Sequence, residues 1–199
     1  MDDEAQSAIR RTPEARRQQI LDAACDCVRQ AGFHGASMAE IAKAAGLSVG
    51  QIYRYFENKE AIIAAIVAQD LAEMREKFAE MESRPGDLLD AMTEHLPEAV
   101  DKCFDSGRAA LTLEVLAEAA RNPKVAAIVR AADDQERAFA RNMLARCRQP
   151  GWTDAEFHAR CEAVGLLFDG MIMRAVNHPA TEREPLARVL SATIRQLLS

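Results

Sequence analysis

The stretch SVGQIYRYFENK at residues 48–59 concentrates hydrogen-bond donors of a particular kind. Tyr53 and Tyr55 carry hydroxyls on rigid rings, Arg54 lies between them, Gln51 precedes them and Lys59 follows. Tyrosine hydroxyls and cations donate to phosphate oxygens, tyrosine rings touch thymine methyls, and a glutamine amide can pair with adenine in bidentate fashion. This is recognition chemistry. The rest of the chain offers no bond-making set: there is no G-x-S-x-G, no P-loop and no carboxylate and histidine group at metal spacing. His34, His95, His158 and His178 are scattered without HxxxH or HExxH spacing, so neither a metal nor a cofactor is expected, and no enzyme activity. Cys25, Cys27, Cys103, Cys147 and Cys161 form no CxxC pair and are odd in number, which reads as reduced thiols.

The elements that must hold these donors are short helices. Ser37 and Glu40 form S-x-x-E and Ser48 and Gln51 form S-x-x-Q, two helix-start patterns only eleven residues apart. Gly46 between them allows the positive φ of a sharp helix exit. Two helices joined by such a turn are a helix-turn-helix, whose second helix enters the major groove of DNA. That helix is expected to run about seven residues, with Val49, Ile52 and Phe56 inward. Gly50, Gln51, Arg54 and Tyr55 then point out and Tyr53 lies at the edge. Gly50 would let a backbone approach closely. Lys59, at the start of the next helix, is a phosphate-clamp candidate. Arg54 either faces a phosphate or is simply solvated.

Composition agrees with an all-α chain. Of 199 residues, 49% are hydrophobic and only 5% aromatic, with no β-branched run bounded by turn signals. A first helix is expected from Pro13 to Gln30, with Thr12 as N-cap and Gly32 as its end. A long one follows at 59–82, with Asn58 as its N-cap, then helices near 87–105, 107–121, 123–148, 154–177 and 182–198. Pro97 should kink or split the first of these. Thr153–Glu156 and Thr181–Glu184 read as further capping boxes. About nine helices result. The formal charge is −6, yet residues 10–59 hold eight basic against five acidic side chains. A basic end on an acidic body suits a polyanion at that end only. Arg10, Arg11, Arg16 and Arg17 could reach phosphates or a minor groove, or form a solvated terminus. No apolar run reaches 18 residues and the start has no apolar leader, so a cytoplasmic protein without a membrane span is expected.

The initial RRQQILDAACDCVRQAGFHGAS and the following MAEIAKAAGLSVGQIYRYFENKEAIIAAI resemble the DNA-binding domain of the tetracycline-repressor (TetR) family. The pattern AxxAGxSxGxxYxYFxxKExI is long and specific, and the likeness covers residues 14–70. Beyond it only the order and lengths of helices agree. The resemblance implies a ligand-responsive transcription regulator, usually a repressor, that binds a palindromic operator on double-stranded DNA as a homodimer. It places Ser37 and Met38 at backbone contacts from the second helix. Ser48, Val49, Gly50, Gln51, Tyr53 and Tyr55 fall on the recognition helix, and Lys59 on the clamp after it.

This gives a helix-turn-helix domain at 10–58 and an effector-binding and dimerisation domain at 59–199, with helix 59–82 connecting them. The last two helices carry the stripes Phe157, Cys161, Val164, Phe168, Met171, Ile172, Ala175 and Leu186, Val189, Leu190, Thr193, Ile194, Leu197. Two such helices per subunit would build an intersubunit four-helix bundle; otherwise the stripes are internal core. Candidate lining for a small, largely apolar effector is Met92, His95, Leu96, Phe104, Leu113, Leu116, Phe139, Met143, Phe168 and Met171. A helical protein-interaction adaptor and a small helical enzyme remain the alternatives.

Overall fold

The structure is a computed structural model, and it describes residues 12–199. Arg10, Arg11 and the expected boundary at residue 10 lie outside the described residues. Nine α-helices and one 3-10 turn follow one another there. They are α1 (Pro13–Gly35), α2 (Met38–Ala44), α3 (Val49–Ile52), α4 (Lys59–Ser83), α5 (Leu88–Cys103), α6 (Ser106–Ala119), α7 (Pro123–Leu144), α8 (Asp154–Asn177) and α9 (Arg183–Leu198), with the 3-10 turn Ala145–Cys147 after α7. The chain divides into two compact units, Met1–Ile66 and Val67–Ser199, so the division falls inside α4. No described helix is long and apolar enough to cross a membrane.

The first unit is built from locally encoded stops and starts. The Thr12 hydroxyl accepts the Ala15 N–H at 3.2 Å, with Pro13 opening α1. Gly32 leaves helical geometry at φ 70, ψ 172, and a last turn, Phe33 to Gly35, leads to α2. Both serine caps form complete capping boxes, Ser37 with Glu40 and Ser48 with Gln51. Gly46 takes φ 63 between α2 and α3. A Cβ at Gly46 would meet no atom within 4 Å, so the cost of substitution there is purely conformational. Gly46→Ala should therefore lower stability by about 1 kcal/mol, read as a drop of a few degrees in Tm, because only glycine occupies the left-handed region freely.

Burial then orients α3. Ile52 is fully buried and Phe56 nearly so, alongside Ile20, Val28, Ile41, Ile62 and Ile63. Sequestering an isoleucine of this kind contributes roughly 1.5–3 kcal/mol. The expected seven-residue helix is four residues long. After Ile52 the ladder tightens: the Arg54 N–H reaches the Gln51 carbonyl at 3.2 Å and the Tyr55 N–H the Ile52 carbonyl at 3.0 Å. These three-residue spans end α3 as a turn. Val49 was expected inward and is instead 45% exposed. It opens the helix one turn before Ile52, where the chain has only just left the cap and no neighbour covers it.

The second unit has one continuous core. It joins Leu88, Leu96 and Val100 of α5 and Phe104 just after it, Met143 and Leu144 of α7, Phe157, Val164 and Met171 of α8, and Leu190, Ile194 and Leu198 of α9. The stripes offered for a subunit interface on α8 and α9 are thus largely the chain's own core. Pro97 does not split α5, which runs unbroken from Leu88 to Cys103. The Thr153 hydroxyl caps α8 through the Glu156 N–H at 3.2 Å. The Thr181–Glu184 box is absent. The Thr181 hydroxyl is spent on the His178 carbonyl at 2.8 Å, and α9 begins after Glu182 with no side-chain cap.

Candidate nucleic-acid interface and effector bundle

The cap residues are positioned by their own hydrogen bonds. The Ser37 hydroxyl accepts the Glu40 N–H at 3.2 Å and the Ser37 N–H donates to the Glu40 carboxylate at 2.9 Å. That backbone donation, then the serine hydroxyl, holds the Glu40 carboxyl below its usual range. Ser48 and Gln51 repeat the arrangement: the Ser48 hydroxyl accepts the Gln51 N–H at 3.3 Å, and the Gln51 side-chain carbonyl accepts the Ser48 N–H at 2.9 Å. Gln51 therefore commits its side-chain oxygen to the cap, a bond that competes with the bidentate adenine pairing expected from sequence.

Around that cap the surface is open. Ser48, Val49, Gly50, Gln51, Tyr53 and Arg54 are exposed, Tyr53 to 51%. Tyr55 is half-buried, so the two tyrosines exchange the positions expected of them: Tyr53 is the outward ring and Tyr55 the edge. Ser37 is exposed and Met38 half-buried at the start of α2. A Cβ at Gly50 would meet nothing within 4 Å, so no packing inside the chain demands glycine there. The Asn58 side chain accepts the Ala61 N–H at 2.8 Å at the head of α4. Lys59 next to it is half-buried. Its ammonium donates to the Phe33 carbonyl and stands 4.0 Å from the Phe33 ring centroid. A phosphate contact from Lys59 requires it to leave or share that seat.

In the second unit, four of the expected effector-lining residues are closed into the core: Leu96, Phe104, Met143 and Met171 are at most 5% exposed. Met92 and Phe168 pack against that core. His95 is half-buried, and its Nδ1 lies 2.9 Å from the Ala91 carbonyl. Leu113 and Phe139 are half-buried, and the Arg75 guanidinium lies 4.2 Å from the Phe139 ring. Leu116 is 47% exposed.

The second unit also holds polar groups that sequence left unmarked. Arg108 of α6 donates to Asp70 of α4 at 2.7 Å, and Lys102 to Glu73 at 2.7 Å. Burial pushes the Asp70 carboxyl up against the opposing pull of Arg108. Partial desolvation raises Glu136 of α7 although the residue stays exposed, with Asp169 of α8 adding to the push, and burial raises the Cys103 thiol. A charged residue on a long polar helix reads as a solvated face, so no sequence signal marked them. A carboxyl raised in the fold binds its proton more tightly there than in the unfolded chain. It costs stability above that raised value, and the cost fades as pH falls to the ordinary carboxylate range. Glu136→Gln should therefore raise Tm slightly at about pH 7.5, the effect being reduced by solvent screening of an exposed side chain, and the rise should vanish as pH falls to the ordinary carboxylate range in thermal melts.

Residues 20–66 match the family model described as bacterial regulatory proteins, tetR family, and residues 83–199 match that of the tetracyclin repressor-like C-terminal domain. A similar curated protein is the HTH-type transcriptional regulator UidR of Escherichia coli K12, 38% identical over 118 residues, which is 57% of this chain and 57% of that protein. The chain thus spans somewhat over half the length of the curated relatives it matches first. Among solved structures, Salmonella enterica GusR superposes with a TM-score of 0.76 at 26% identity, covering 94% of this chain and 97% of that one. The transcriptional regulator FadR from Bacillus subtilis, solved in complex with stearoyl-CoA, shares the fold at TM-score 0.73 and 19% identity, covering 92% and 97%.

Proposed function

Because the chain belongs to the tetR family of bacterial regulatory proteins, we propose that it is a one-component repressor that binds a palindromic operator as a homodimer and is released by a small, largely apolar effector. The observation that carries this is the surface of residues 48–55. Two reciprocal caps and the buried Ile52 and Phe56 fix its backbone, and its donors face outward. Residues 10–58 act as the reader and 59–199 as the sensing and dimerising part, with helix 59–82 joining them. The Gln51 amide contacts DNA from α3, Tyr53 and Arg54 from the turn after it, Ser37 and Met38 from the head of α2, and Lys59 takes a phosphate. Gly50 lets the DNA approach the backbone.

Apolar residues with adaptable shapes, Met92 and Phe168 among them, support an apolar effector, as does the acyl ligand held by the FadR relative. Arg108, with Asp70 and Glu73, would be the candidate for its polar end. Such a ligand releases DNA only through unequal affinity for the two states of the protein. Selection of bound duplexes from a random pool tests the reader. A palindromic consensus, with affinity falling steeply with salt, is the expected result. A pool that yields no enrichment would reject it and return the adaptor alternative.

A further inference from the structure

Two residues of α1 hold the backbone on either side of the recognition helix. The Arg17 guanidinium donates to the Tyr55 carbonyl at 3.3 Å and lies 4.2 Å from the Phe56 ring centroid. The Gln19 amide donates to the Ala45 carbonyl at 2.5 Å, and Arg16 in turn donates to the Gln19 side-chain carbonyl at 2.9 Å. Ala45 ends α2 and Tyr55 ends the turn after α3. Carbonyls at such ends have no partner within their own helix, and a planar cation suits both a carbonyl and a ring face. A four-residue helix cannot hold its own orientation in water. From sequence, Arg16 and Arg17 were candidates for phosphates.

We propose that Arg17 is a positioning residue that locks the exit of the recognition helix onto α1, and that it owes its effect on DNA binding to that lock and not to a phosphate contact. This rests on the DNA-binding function above. Gln19 serves the same end at the helix-turn-helix turn. The lock acts through the Tyr55 carbonyl and the Phe56 ring, so it sets the direction in which Tyr53 and Arg54 leave the surface.

The test uses the full-length protein, a duplex selected by the wild type, and the variants Arg17→Met and Arg17→Lys, each checked by circular dichroism. Arg17→Met is expected to weaken operator binding about 10-fold or more while leaving the slope of log affinity against log salt unchanged, since a lost phosphate contact would reduce it by about 0.9 per protomer. Arg17→Lys is expected to restore less than half of that loss on a logarithmic scale, because an ammonium lacks the flat face that covers Phe56. Without DNA, amide exchange at residues 53–56 should quicken several-fold in Arg17→Met. A reduced salt slope with full rescue by lysine and unchanged exchange overturns the proposal in favour of a phosphate contact. Unchanged affinity and exchange overturn it in favour of a solvated arginine. If the wild type selects no duplex, the regulator function fails, and the exchange measurement alone decides whether Arg17 orders the segment.

Discussion

The double substitution Leu166→Glu and Met173→Glu is expected to leave a folded monomer whose operator affinity is lower by about 10²–10³-fold. Leu166, Met173 and Val176 lie on one side of α8 at 67%, 59% and 48% exposure, and Val189 of α9 is 65% exposed. On the opposite side of α8, Phe157, Val164, Met171 and Ala175 fill the core. An α-helix with a second apolar side after its core side is satisfied has surface left for a partner. Gly165 and Gly170 belong to the exposed half of α8, and a Cβ at either would meet nothing within 4 Å. They leave room for a partner helix to come close. A second copy is the occupant that the proposed palindromic operator would require, and a two-fold contact repeats the same residues on both sides. Glutamates placed there face water in the monomer, so the fold should change by no more than about 0.5 kcal/mol. In the dimer they would face each other without solvent. Losing the dimer removes the effective concentration that links the second half-site to the first, which sets the expected loss of affinity. Light scattering on the eluting protein and a titration of operator duplex read the two effects. A variant that stays dimeric would place the interface elsewhere.

Sequence showed the first unit well because its signals are local. Ser37 with Glu40 and Ser48 with Gln51 are patterns three residues long, and each forms the reciprocal bonds it spells. Gly32 and Gly46 mark backbone conformations that only the adjacent chain decides. What sequence could not show depends on partners distant along the chain. The seats of Arg17 over Phe56 and of Lys59 over Phe33 span 39 and 26 positions, and both cations looked like phosphate ligands until those partners were in view. The same holds for α8. Its apolar residues were visible, but which of its two apolar sides meets the core depends on α5 and α9. Val49 failed for a subtler reason. Helical periodicity assumes a helix long enough to have sides, and α3 is one turn. The Thr181 box failed because a hydroxyl can serve one of two nearby backbone groups, and the turn at His178 took it.

Tyr53→Ala and Gly50→Ala should separate recognition from folding most sharply. The Tyr53 ring is half exposed, so its removal opens no cavity and should shift stability by less than about 0.5 kcal/mol. If its hydroxyl donates to a phosphate, each half-site loses about 1.5 kcal/mol, and a two-site operator is bound about 10²-fold more weakly. Tyr53→Phe divides that loss. A ring against a thymine methyl survives the change, whereas a hydroxyl on a phosphate does not. Gly50→Ala moves the two readouts in opposite directions. Position 50 is helical and its Cβ direction is empty, so alanine should stabilise α3 by up to about 1 kcal/mol and raise Tm. The same methyl would stand between α3 and a closely approaching DNA backbone, and operator affinity should fall about 10-fold or more if the groove contact is as tight as an unsubstituted Cα permits. A protein that melts higher and binds worse has placed glycine for its ligand at the expense of its helix. If Gly50→Ala binds as well as the wild type, the DNA stands off from the head of α3, and recognition falls to the longer side chains Gln51, Tyr53 and Arg54.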